Sequence, residues 1–198
     1  MDLVAVDIGG THARFALAQV SGGRVAALGE PVTFVTAAHA SLQAGWEAFG
    51  GQQRGPLPRA AAIAVAAPVR GDTLQLTNND WVIHRAHIDA ELKIDHSLVI
   101  NDFEAIGHAV AQLRDSDFAK VCGPDGPLLE SDVITVIGPG TGLGVAAIVR
   151  EGVDYQVLAT EGGHLDFAPV DAFEDTLLAE LRGRHGAGRI GSRACRDS

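Results

Sequence analysis

The chain has 198 residues, 46% hydrophobic and 20% charged, which is the balance of a folded globular protein and excludes a disordered one. A formal net charge of −10 excludes a strong electrostatic hold on nucleic acid or on an anionic membrane surface. With only two lysines, Lys93 and Lys120, a lysine-centred phosphate loop is not expected, while 24 glycines point to backbone positions that need positive φ or close approach to a ligand.

In chain order, residues 3–6 (Leu-Val-Ala-Val) form an apolar run of strand length stopped at Asp7-Ile8-Gly9-Gly10. The stretch from Arg14 to Val20 predicts a second strand with Phe15 and Leu17 on one face. Gly22-Gly23 reads as a hairpin turn and Val25–Leu28 as the next strand. Pro31–Thr36 predicts one more strand, and Leu42, Trp46 and Phe49 sit at helical spacing within 40–49. After a Gly/Pro loop over 52–58, Ala60–Ala66 reads as a strand, Leu74 and Leu76 as part of another, and Leu98–Ile100 as one that ends at Asn101-Asp102. A helix follows at once, with Phe103, Ile106, Val110 and Leu113 as its apolar face. Val133–Ile137 and Val145–Val149 predict strands either side of a glycine turn, and 173–182 predicts a short amphipathic helix. The pair Asp7–Val20 and Gly138–Val149, each a glycine turn between two apolar strands, suggests a duplicated α/β core.

Cys122 and Cys195 are too few for a disulfide framework and suit a reducing compartment. Met1-Asp2 leads straight into an apolar strand with no basic leader, and no run of about 18 apolar residues occurs, so a cytoplasmic protein without a membrane partner is expected.

Four stretches carry candidate chemistry. In Asp7-Ile8-Gly9-Gly10-Thr11, paired glycines let successive N–H groups turn toward an anion, Thr11 adds a hydroxyl, and Asp7 is placed to hold a hydrated Mg²⁺; a tight hairpin turn is the alternative. Gly138-Pro139-Gly140-Thr141-Gly142-Leu143-Gly144 lacks the Lys-Ser/Thr of a Walker loop and does not fit G-x-G-x-x-G; it reads as a wide phosphate cradle or as a flexible loop. Asp102, between a strand end and a helix start, is a carboxylate that the helix terminus favours as an anion, ready to take a proton from a substrate hydroxyl; helix capping is the alternative. Glu161 and His164, on one glycine turn, pair a carboxylate with an imidazole as vicinal sugar hydroxyls require, or are a surface Glu and a structural His. His84 and His87, three apart, could face one way on a helix but lack a third metal ligand.

Together these stretches resemble the bacterial glucokinase family, in the sugar-kinase branch of the actin-like (ribonuclease H-like) ATPase folds. Asp7–Arg14 is similar to its first phosphate motif and Thr77-Asn78-Asn79-Asp80-Trp81 to its Thr-Asn-x-x-Trp. Asn101–Ala105 resembles its connecting motif, Gly138–Gly144 its second phosphate motif and Glu161–His164 its Glu-Gly-Gly-His loop, in matching order along 3–185. The resemblance implies an α/β fold with a small domain over 1–110, a partial large domain over 111–186 and an atypical tail over 187–198. It implies transfer from ATP, with Mg²⁺, to the 6-hydroxyl of D-glucose, the first step of glycolysis. Asp102 is then the catalytic base, and Asn78, Asn101, Glu161 and His164 are sugar contacts. Asp7, Gly9, Gly10 and Thr11 lie on the phosphate and Mg²⁺ side, opposed by Gly138, Gly140, Thr141 and Gly142. A homodimer is compatible with this reading. The family's Ser…Glu-Arg-Val…Ser-Gly-x-Gly stretch is not recognisable in 187–198, so a truncated second domain is expected. An inactive sugar-binding remnant and a kinase of different hexose preference are the alternatives.

Overall fold

The computed structural model describes residues 1–76, 79–123, 133–139, 143–152 and 154–185. The chain divides between Ala105 and Ile106 into two units.

In the first unit, β1 (Asp2–Ile8) pairs antiparallel with β2 (His12–Ser21), from Asp2↔Gln19 to Ile8↔Ala13. The turn into β3 (Arg24–Leu28) has Gly22 and Gly23 at φ 58° and 75°, a left-handed conformation that glycine adopts without a Cβ clash. β4 (Val32–Val35) returns to pair with the first half of β2, and Thr36, expected as its end, instead opens a 3-10 turn over Thr36–Ala38. α1 (Leu42–Gly50) starts where the Ser41 hydroxyl accepts the Ala44 N–H at 3.2 Å. It buries Leu42, Gly45, Trp46 and Phe49.

β5 (Ala60–Val65) then runs parallel to β1. A small ribbon of β6 (Thr73–Gln75) and β7 (Val82–His84) precedes the five-residue α2 (Ile88–Leu92). β8 (His96–Asn101) runs parallel to β5. The sheet order is β3-β2-β1-β5-β8, with β4 also on β2. One core lies within this unit. Val4, Val6 and Ile8 alternate into it from β1, Ile63 and Val65 come from β5, and Phe15 stacks on Phe49 at 5.6 Å and meets Phe34 edge-on at 5.7 Å. Phe15 is fully buried, while Leu17, expected on the same face, is exposed.

α3 (Asp102–Gln112) spans the division between the units. Its buried positions are Gly107 and Ala111, not the expected stripe, of which Ile106 and Leu113 are exposed. The cause is a close approach: a Cβ on Gly107 would lie 2.6 Å from Val157 Cγ1, so only small residues fit that face. The second unit contains β9 (Val133–Pro139), β10 (Leu143–Glu151) and β11 (Asp154–Thr160), in the antiparallel order β11-β10-β9, and α4 (Ala172–His185). Among the described residues, no helix is long and apolar enough to cross a membrane. The tail over 187–198 lies outside the described residues.

Candidate active site

Three parallel strands set the first part of the site. Ile8, Val65 and Asn101 fall in one register row across β1, β5 and β8. The glycine turn after β1 and the start of α3 therefore leave from the same carboxyl edge of the sheet, two strand spacings or about 10 Å apart. Open α/β sheets hold their ligands at that edge.

Asp7 stands one residue before the end of β1. Its Oδ2 accepts from Arg14 Nη1 at 2.8 Å, the two being register partners, and both side chains are about half exposed. The Gly9-Gly10-Thr11 turn is closed by the Gly9 N–H donating to the His12 carbonyl at 2.9 Å. The N–H groups of Gly10 and Thr11 meet no acceptor among the described residues. Behind the turn, each of its three carbonyls is held. Asn79 Nδ2 donates to Gly9 O at 3.3 Å, Thr36 Oγ1 to Gly10 O at 3.0 Å and Thr36 N to Thr11 O at 2.9 Å. Sequence reasoning missed Thr36 and Asn79. Nothing local ties them to residues 9–11, and the one available signal is a polar Thr that ends the Val32–Val35 strand.

Capping of α3 falls to Asn101. Its Oδ1 accepts the N–H of Phe103 at 3.0 Å and of Glu104 at 3.3 Å, and Glu104 Oε2 accepts the Asn101 N–H at 3.4 Å. That is a reciprocal capping box. Asn101 Nδ2 donates to the Ala67 carbonyl at 3.2 Å. Asp102 is thereby left at the first helical position. Its Oδ1 accepts the Phe103 N–H at 2.9 Å. A helix terminus alone would favour the anion. Burial pushes the Asp102 pKa up instead; the Phe103 N–H opposes that rise and the nearby Asp7 charge adds to it. The net direction is upward, a correction to the expectation drawn from its position in sequence.

In the second unit, Gly138 on β9 faces Gly144 on β10 across the hairpin. Gly140, Thr141 and Gly142, and likewise Asn78, lie outside the described residues. Glu161 precedes and His164 ends a 3-10 turn over Gly162–His164, with His164 Nδ1 and Glu161 Oε2 3.5 Å apart and both side chains half exposed. A Cβ on the buried Gly163 would collide with the Leu143 carbonyl, so glycine is required where the turn rests on the first residue of β10. Thr160 fixes the approach: its hydroxyl donates to Val145 O at 2.8 Å and accepts the Gly162 N–H at 3.2 Å. The structure thus gathers Asp7, Gly9, Gly10, Thr11, Asn101 and Asp102 at one edge of the first unit. Gly138, Glu161 and His164 gather around the start of β10 in the second.

His84 and His87 do not share a helix. His84 ends β7, His87 lies in a 3-10 turn, and their rings are 5.8 Å apart. Among the described residues, no three His, Cys, Asp or Glu side chains come together.

The parallel sheet with a glycine turn and a carboxylate at its carboxyl edge, and the antiparallel β9–β10 pair, belong to a mixed α/β fold that matches those of solved glucokinases. The chain belongs to the glucokinase family, whose model matches residues 3–192 and so runs past Gly186, where the motif resemblance ends. It is 57% identical to a glucokinase of Zymomonas mobilis over 184 residues, 93% of this chain and 57% of that one. Among solved structures, it matches a glucokinase from an Antarctic psychrotroph at 32% identity and a TM-score of 0.77, over 96% of this chain and 59% of that one. It also matches a glucokinase of Balamuthia mandrillaris, solved in complex with glucose, at 25% identity and a TM-score of 0.72, over 96% and 57%. The chain therefore spans a little over half the length of these relatives.

Proposed function

We propose that this chain carries the phosphate turns, the sugar loop and the catalytic base of a cytoplasmic glucokinase that transfers the γ-phosphoryl group of ATP to the 6-hydroxyl of D-glucose. One observation carries the reading. The Asp102 carboxylate is half-buried, has a raised pKa, and shares a sheet edge with the two amides of the Gly9–Thr11 turn that meet no acceptor among the described residues. Phosphoryl transfer needs mainly positioning and charge stabilisation. As the O6–H bond breaks, the proton passes to Asp102; the O6–P bond forms as the bond from phosphorus to the ADP oxygen breaks. A carboxylate with raised proton affinity suits that step better than an ordinary one.

The amides of Gly10 and Thr11 hold phosphate oxygens, with Gly9 giving the turn its shape. Gly138, Gly140, Thr141 and Gly142 are the second set of phosphate contacts. Asn101, Asn78, Glu161 and His164 are the sugar-hydroxyl contacts. The donor set at Asp7 fits Mg²⁺ only as a hydrated ion that ATP brings with it. One Asp7 oxygen is paired with Arg14, and no cluster of three ligands exists among the described residues. Asp7 would hold such an ion through water, and the ion would offset phosphate charge.

The test is a coupled assay of ADP release from ATP and glucose. Turnover is expected, and Asp102→Asn should lower kcat by about 10²–10⁴-fold with a glucose KM within about threefold. Near-normal kcat in that variant refutes the base assignment. Because the chain spans 57% of its relative, a second reading is a sugar-binding remnant. No turnover, together with a glucose-dependent rise in Tm, decides for it. Running mannose and fructose beside glucose reads the hexose preference.

A further inference from the structure

We infer that Thr36 and Asn79 are positioning residues that set the first glycine turn for phosphate; the inference deepens the glucokinase reading and rests on it for the identity of the ligand. In a trans peptide the C=O of one residue and the N–H of the next point in opposite directions. Holding the carbonyls of Gly9 and Gly10 therefore aims the N–H groups of Gly10 and Thr11. Asn79 Nδ2 holds the first carbonyl and Thr36 Oγ1 the second, while Thr36 N holds the carbonyl of Thr11. The amides so aimed are the two in the turn without an acceptor among the described residues.

The holders are themselves held, in a closed ring. Asn79 Oδ1 accepts the Trp81 N–H at 2.8 Å, Trp81 Nε1 donates to the His39 carbonyl at 2.8 Å, and the His39 N–H donates to the Thr36 carbonyl at 3.0 Å. Trp81 and Thr36 are buried at 2% and 3% exposure, and Thr36 is the one buried polar residue among those described. A buried hydroxyl loses little by making one bond and much by missing it. Thr36 thus reports the position of Gly10 to a ring anchored in the core through Trp81, which packs over Gly45. The ring also walls a cavity of roughly 630 Å³ bordered by Gly10, Thr11, His39 and Asp80.

The test reads anion binding apart from turnover. Inorganic triphosphate is titrated into the full chain while the amide resonances of Gly10 and Thr11 are followed by NMR, and the KM values for ATP and glucose are measured beside it. Thr36→Val keeps the shape and the backbone N–H but frees the Gly10 carbonyl. It is expected to weaken triphosphate binding about tenfold, the factor one lost hydrogen bond carries, and to raise the KM for ATP alike with the glucose KM unchanged. Thr36→Ser restores both. Should Thr36→Val fail to fold, Asn79→Ala, on the more exposed side of the ring, gives the same split. Unchanged triphosphate affinity in a folded variant, an equal rise in both KM values, or no triphosphate binding by the parent chain overturns the inference. Triphosphate binding that depends on Thr36 in a chain with no glucose turnover upholds it and removes the kinase reading instead.

Discussion

The hairpins β1–β2 and β9–β10 start from the same sequence device, an apolar strand, a glycine turn containing one threonine and a second apolar strand, and they end in different surroundings. On β1, Val4, Val6 and Ile8 are at most 3% exposed; on β9, Val133 and Ile137 are 59% and 61% exposed. Alternation is present in both. The difference lies across the far edge of the first strand, where β1 pairs with parallel β5 and then β8, while β9 is the last strand of its sheet among the described residues. Parallel neighbours bring crossover segments that cover the faces of a sheet. Here those segments include α1, with Trp46 and Phe49, and α2, with Ile88 and Leu92. A meander supplies register, and burial comes from the crossovers.

The largest effect expected from that contrast is on stability. Phe15→Ala removes a fully buried ring between Phe34 and Phe49 and should cost about 3–5 kcal/mol in denaturant unfolding. Ile137→Ala on β9 should change stability by no more than about 0.5 kcal/mol. Equal losses in the two variants would break the comparison.

Next comes a substitution that tests where the second unit is tight despite its exposed strands. Gly163→Ala drives a Cβ into the Leu143 carbonyl, so the Glu161–His164 turn must lift from β10. About 1–3 kcal/mol of destabilisation is expected. The matching change at Gly9, whose added Cβ would make an ordinary 3.5 Å contact with the His12 carbonyl, should cost less. If Gly9→Ala proves the more costly of the two, the tight glycine has been assigned to the wrong turn.

Much of this contrast is legible in the residues. Glycine turns after apolar runs locate β1–β2 and β9–β10, and the adjacent Asn101-Asp102 locates the start of α3. Illegible were the elements whose apolar signal is two residues deep. β7 holds Ile83 as its one buried side chain, α2 is five residues long, and β11 shows Tyr155 and Val157 against a polar remainder. Such segments are fixed by what they pack on: the Tyr155 hydroxyl accepts from Gln112 Nε2 at 3.0 Å, and Val157 fills the notch at Gly107. The site followed the same rule. Asp7 and Asp102 are visible because strand ends announce them. The pairing of Asp7 with Arg14, the capping by Asn101 and the hold of Thr36 on Gly10 depend on register, which no local pattern states.

A smaller effect separates function from stability at Asp102. A carboxyl whose folded pKa is raised adds stability below the ordinary carboxylate range and loses it as pH rises through the folded pKa. Burial disfavours the charged form of Asp102, so Asp102→Asn, which can still accept the Phe103 N–H, should raise Tm at neutral pH while lowering turnover. The Tm gain should shrink as pH falls and the native carboxyl becomes protonated. A Tm loss at pH 7 that persists at pH 3 would mean that Asp102 is structural and that its burial has been misread.

The smallest expected effect is at the opposite end of the same strands. Arg59 and Asp95 form an exposed two-pronged pair just before β5 and β8, where the Asp95 N–H also donates to the Arg59 carbonyl at 2.7 Å. The hydrogen bond from Arg59 holds the Asp95 carboxyl below its ordinary range, with the Arg59 charge and His96 adding to the same direction. The sign is thus the reverse of Asp102: the pair stabilises above the ordinary carboxylate range and loses that contribution as pH falls through the lowered pKa. Arg59→Gln should lower Tm slightly at pH 7 and not at all at pH 2, and half-molar salt should erase much of the pH 7 difference because both groups are open to solvent. The clamp acts on the amino ends of the strands whose carboxyl ends carry Val65 and Asn101. A salt-insensitive loss that also shifts the KM for ATP would mean instead that strand register, and not local charge, is what the pair maintains.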